Sequence, residues 1–219
     1  MRKLLPASAF AAALLAAPSA MAHHPLAGQA MTTFEHGMLS GIGHPLLGFD
    51  HLFFVALMGV AAVIAGSRFL LPVAYLAAMV LGTVLTIAAV ALPLVEPAVA
   101  LSLLVLGGLA MRGKALSPMV VGIVFAAAGL FHGAAFGGSI AGQEGGAATA
   151  VIAGYLLGLV AVQWLVAVVA GYAMTGLLRA SEAQAMPVRL GGALVAGAGL
   201  FLALETVEGA VFAALGLGA

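Results

Sequence analysis

From residue 52 to residue 210 the chain is almost continuously apolar, cut into long runs only by short clusters of breakers and basic residues. A surface that faces water needs roughly 25% charged residues. Here 6% of the residues are charged and 64% are hydrophobic, so the runs read as membrane spans and the chain as an all-α, polytopic helix bundle. Its 30 glycines suit helices that approach closely through small side chains.

Six spans are expected. The first ends at Ser67-Arg68, and counting back to Leu52 gives only about 24 Å of helix, short of a hydrocarbon core of about 30 Å. Its helix is therefore expected to begin earlier, which draws Asp50 and His51 into the outer leaflet. The others are placed at residues 69–92, 97–111, 119–138, 147–178 and 188–210. The fifth exceeds what a span needs and is expected to tilt or project. Pro93 and Pro97, Arg112-Gly113-Lys114 before Pro118, Gly145-Gly146 and the polar stretch 179–187 supply the turns.

Ahead of the spans, residues 1–22 have Arg2 and Lys3, an apolar run and a closing Ala20-Met21-Ala22. That pattern fits a signal peptide, leaving residues 23–219 as a single six-span domain. An uncleaved first helix is the alternative, which N-terminal sequencing decides. Cleavage would make His23 the new N-terminus, where an α-amine beside its own imidazole is a natural chelate; a merely polar start fits equally well.

Charge tests the orientation. With the mature N-terminus outside, the remaining basic residues (Arg68, Arg112, Lys114, Arg179 and Arg189) all fall in inner segments, while Glu35, Glu96 and Glu144 fall outside. This split follows the positive-inside rule and supports six spans with both ends of the mature chain outside. Net charge is zero, so nothing points to nucleic acid. No Gly-x-x-x-x-Gly-Lys-[Ser/Thr] sequence occurs, which argues against nucleotide-driven pumping by the chain itself. Cysteine is absent, so a metal would be held by nitrogen and oxygen.

Few ionisable residues remain at membrane depth: His44, Asp50 and His51 on span one, His132 on span four, and Glu205 with Glu208 on span six. Intramembrane charge costs about 2.5–3.5 kcal/mol, which makes such groups candidates for function. Counted up from the inner surface, Asp50 stands at about 27 Å, His51 and Glu205 at about 25 Å and His132 at about 20 Å. On one unbroken helix His44 and His51 would stand about 10 Å apart along the axis, too far for one ion with bonds near 2 Å. Pro45 and Gly48 are poor interior helix residues, and Asp50 is a good N-cap for a helix starting at His51. A loop ending at such a cap would fold His44 back toward Asp50 and His51. Each also has a plainer reading: His132 as a hydrogen-bonded interior histidine, Asp50 as a cap alone, Glu208, one turn from Glu205 on the same face, as already solvated, Gln163 as an interhelical hydrogen bond. Gly133-x-x-x-Gly137 and Gly154-x-x-x-Gly158 are most simply packing.

His44-Pro45-x-x-Gly48-x-Asp50-His51 and Phe131-His132-Gly133 resemble the two signature segments of the HupE/UreJ family, bacterial inner-membrane permeases for nickel or cobalt associated with hydrogenase and urease maturation. The resemblance extends to the signal peptide, the following histidine and the six-span layout. It implies that His44, Asp50, His51 and His132 take part in recognising a divalent cation. The second segment departs from the family pattern: where a glutamate commonly follows the glycine, this chain runs on to Ser139, leaving Glu144 or Glu205 as substitutes.

The expected function is a secondary permease taking up Ni²⁺ or Co²⁺ as substrate, with no resident cofactor and no enzymatic activity. Its partners are the ion and the bilayer, and association of identical copies is left open. Imidazole and carboxylate without thiolate suit these metals, although Zn²⁺ and Cu²⁺ take the same ligands. Two competing readings are an intramembrane metallohydrolase with a metal-activated water, and a metal-binding partner of another membrane protein that does not itself transport.

Overall fold

The computed structural model describes residues 30–141 and 148–216; the signal-peptide segment, His23 and Glu144 lie outside them. The described residues form seven α-helices and no strand. These are α1 (Phe34–Leu47), α2 (Phe49–Ile64), α3 (Leu71–Ile87), α4 (Val95–Met111), α5 (Pro118–Ala141), α6 (Thr149–Tyr172), which continues through a π-helical turn Ala173–Leu177, and α7 (Met186–Ala214).

The first expected span is two helices. α1 and α2 meet at 81° around Gly48, whose backbone is extended (φ −80°, ψ 99°). Its N–H closes α1 on His44 O and its carbonyl accepts from Leu52 N to open α2. Asp50 is therefore not the cap; it sits in the first turn of α2, where a carboxylate is favoured by the helix dipole. His44 and Pro45 are helical rather than part of a loop; α2 does begin ahead of Leu52, at Phe49, and takes in Asp50 and His51, while the residues before Gly48 belong to a separate helix running off at the bend.

α2 is the hub and touches every other helix, with Phe54, Val55, Met58 and Ala62 buried. The broadest contacts pair α3 with α5, α4 with α7 and α1 with α6, and all three run through glycine. A Cβ added at Gly129 or Gly133 would lie 2.3 Å or 2.0 Å from the backbone oxygens of Tyr75 or Met79. A Cβ at Gly37 or Gly41 would lie 2.1 or 2.2 Å from Val151 O or Tyr155 O, and one at Gly154 or Gly158 would lie 2.1 or 2.4 Å from Phe34 O or Met38 O. Backbones this close leave no room for a side chain, so the packing reading of both glycine spacings stands.

These contacts also fix helix directions. Tyr75 and Met79 meet Gly129 and Gly133 in ascending order, so α3 and α5 run the same way. Gly59 meets Ala167 and Val63 meets Gly171, so α2 and α6 do too. Gly192 meets Met111 while Gly199 meets Ala100, so α4 and α7 run oppositely. The basic residues gather at one end. Arg68 lies over the Tyr172 ring at 4.9 Å, and Arg189 donates from Nε to Met111 O, beside Arg112.

Among the described residues three helical segments are long and apolar enough to cross a bilayer, Pro118–Ala141, Thr149–Leu177 and Met186–Ala214, and the bent pair α1–α2 brings the number to as many as four. The other two, α3 and α4, are apolar and 17 residues each, about 26 Å at the helical rise. α3 is shorter than expected because Ala89 takes a left-handed conformation (φ 61°) and Val90 N bonds back to Leu85 O, a helix stop usually made with glycine. Gly66 (φ 80°) ends α2 in the same way.

Candidate metal site

The bend at Gly48 swings the end of α1 against the start of α2, so the His44 and His51 rings stand 5.8 Å apart between centroids. A Cβ at Gly48 would come within 3.0 Å of His51 Cδ2 and 3.1 Å of Asp50 Oδ1. Glycine here both breaks the helix and makes room for the two side chains. The Asp50 Oδ2 to His51 Nε2 distance is 3.7 Å, and Asp50 is partly exposed while His51 is buried.

His132 arrives from α5 and is completely buried. Its Nδ1 lies 2.8 Å from His51 Nδ1, and its Nε2 lies 2.8 Å from Ser102 Oγ on α4. Ser102 donates in turn to Val99 O at 2.7 Å. Aromatic rings close the surroundings, with Phe136 4.4 Å from the His51 ring and Phe54 4.7 Å from the His132 ring. On the far side, Tyr155 of α6 donates to Phe136 O at 3.0 Å and lies 3.3 Å from His44 Nδ1. Four helices and the hub thus contribute to one polar layer inside an apolar bundle.

The layer opens on a cleft of ≈ 520 Å³ walled by His44, Gly48, Asp50 and His51 on one side and by Phe201 and Leu202 of α7 on the other. His132 stands behind His51, out of this lining. Toward the basic end, Tyr75 donates to Gln163 Oε1 at 2.9 Å, and Phe54, Met58 and Met79 are buried. Gln163 is accordingly an interhelical hydrogen bond. The cleft opens on the side away from the basic end, and beyond the histidines the interior is packed.

The structure therefore brings His44, Asp50, His51 and His132 together and leaves Glu205 out: Glu205 is exposed on α7, a helical turn past Phe201. Among the described residues no three His, Cys, Asp or Glu side chains are arranged to hold one ion; the 2.8 Å His51–His132 contact is a hydrogen bond, in which a proton joins the two nitrogens. Two participants escape a reading of the sequence. Ser102 stands out there only as one of a few polar residues in the spans, and Tyr155 is passed over as part of a glycine-spaced packing face, although a tyrosine in an apolar run needs a partner for its hydroxyl.

Comparison with known proteins adds a second line. A family model described as HupE / UreJ protein matches residues 11–202. The curated Protein HupE of Rhizobium leguminosarum bv. viciae is 33% identical over 168 residues, covering 76% of this chain and 84% of the relative. No solved structure matches the chain.

Proposed function

We propose a function from one premise: the chain belongs to the HupE/UreJ family. It is a secondary permease of the bacterial inner membrane that takes up a divalent transition-metal ion, Ni²⁺ or Co²⁺, from the periplasmic side for metalloenzyme maturation. The observation that carries this reading is the cleft, in which imidazoles from α1 and α2 and the Asp50 carboxylate meet at the end of the bundle away from the basic residues.

The chemistry supports an ion of this class. A chain without cysteine offers nitrogen and oxygen donors, which suit borderline divalent metals. The 3.7 Å between His51 Nε2 and Asp50 Oδ2 is a separation that two donors about 2.1 Å from one ion can span. Binding draws His44, Asp50 and His51 together around the ion as it sheds water, with His132 directly behind them. Glu205, on the same side of the bundle but outside the cluster, is an outer way-station at most.

The topology supports uptake rather than export. Helix directions inferred from packing (α2 with α6, α3 with α5, α4 against α7) are those required if α2 to α7 cross the membrane alternately, making six spans with α1 as an outer-leaflet helix. Basic residues then lie on the cytoplasmic side and the cleft and both ends of the mature chain on the periplasmic side. The packed Phe54–Met58–Met79 region below the histidines makes this an outward-open arrangement, and passage inward requires the bundle to rearrange.

Uptake of radiolabelled nickel by cells carrying Asp50→Asn or His51→Ala tests the assignment. Uptake is expected to fall to the level of cells lacking the protein; wild-type uptake in either variant would sink it.

A further inference from the structure

With the imidazoles neutral, the hydrogen bonds around the histidines indicate where each proton resides. Ser102 has one hydroxyl hydrogen and lies 2.7 Å from Val99 O, a carbonyl that can only accept. Were that hydrogen spent elsewhere, two oxygen lone pairs would face each other at this distance. The hydroxyl therefore donates to Val99 O and accepts from His132 Nε2–H at 2.8 Å. A neutral imidazole protonated at Nε2 has a bare Nδ1, so the 2.8 Å contact between the two Nδ1 atoms has His51 Nδ1–H as donor. In neutral His51, Nε2 is then the lone-pair nitrogen, and it is the atom that lies 3.7 Å from Asp50 Oδ2. The same count holds on the other side. The Tyr155 hydroxyl donates to Phe136 O at 3.0 Å and so accepts from His44 Nδ1–H at 3.3 Å, making Nε2 the lone-pair nitrogen of His44 as well.

We propose that Ser102 and Tyr155 are positioning residues, each tied to a backbone carbonyl, that set the tautomers of the site histidines. His44 and His51 present Nε2 to the cleft, and His132 acts through His51 instead of ligating the ion. The ion's identity in this proposal rests on the permease reading; the proton positions rest on the hydrogen bonds alone. Hydrogen bonds that orient a metal-bound imidazole commonly carry about 10- to 100-fold in affinity, which sets the effect to look for.

Nitrogen-15 NMR of histidine-labelled full-length protein in lipid bilayers reads the tautomers directly, and Ni²⁺ titration of the same samples reads affinity. The metal-free wild type is expected to show protonated Nδ1 on His44 and His51 and protonated Nε2 on His132. Ser102→Ala should mix the tautomers of His132 and His51 and weaken Ni²⁺ binding by about 10-fold, Ser102→Thr should restore both, and Tyr155→Phe should alter His44 alone. Protonated Nδ1 on His132 in the wild type would overturn the proposal, and that measurement needs no variant to fold. Weakened binding in Ser102→Ala with unchanged tautomers would overturn it too, as would unchanged binding. The expected tautomers and binding in a protein that takes up no nickel would uphold the positioning roles and count against the permease reading alone.

Discussion

Gly48 carries two burdens at a single residue: it breaks the helix, and its missing side chain leaves space that the His51 ring and the Asp50 carboxylate come close to filling. Gly48→Ala places a methyl about as near as real Cβ atoms come to anything, so both side chains must shift by tenths of an ångström. Ni²⁺ affinity measured by calorimetry is expected to fall several-fold while helix content by circular dichroism is retained; unchanged affinity would show that the spacing is slack. The ligand candidates were legible at this scale because histidines and a carboxylate at membrane depth are too costly to be kept for packing alone. Ser102 and Tyr155 were not. A lone hydroxyl in an apolar run is ordinarily satisfied within its own helix, as Ser102 partly is through Val99 O, and their histidine partners lie 30 and 111 positions away.

Among the elements, stability rests on helices that touch through backbone. Gly82 packs on Leu130 O, from which a Cβ would stand 2.0 Å, whereas Gly108 of α4 meets nothing within 4 Å. Gly82→Ala is expected to destabilise by about 1–3 kcal/mol through overpacking. Gly108→Ala should be neutral or stabilising by up to about 1 kcal/mol through helix propensity. Thermal unfolding in detergent compares the two, and equal midpoints would contradict the interface. The bend between α1 and α2 was foreseeable from Pro45, Gly48 and the reach of a metal ion. Its details were not, because Gly48 took the capping position expected of Asp50, leaving the carboxylate in the first turn of the helix and lining the cleft. The end of α3 was hidden for a related reason: Ala89 makes a left-handed turn that its residue type does not announce.

For the whole molecule, the segregation of charge and the alternation of helix direction describe one arrangement, with the cleft away from the basic end. The absence of cysteine makes single introduced cysteines clean reporters of it. In intact cells an impermeant maleimide is expected to label Thr32→Cys, beside α1, and to reach Ser117→Cys or Ser181→Cys only after permeabilisation. Labelling of all three from the same side would contradict the orientation. The all-helical, apolar character could be seen in the sequence because hydrocarbon leaves so little freedom in composition. Which helices adjoin could not, since nearly every run is apolar all round and carries glycine; only the packed structure selects α5 for α3 and α7 for α4. The most direct test of the proposed function is Ni²⁺ accumulation by proteoliposomes containing the purified protein, with Co²⁺ and Zn²⁺ as competitors. The expected result is saturable accumulation by the wild type, reduced by Co²⁺ and absent with His51→Ala; binding without accumulation, or accumulation indifferent to His51, would contradict it.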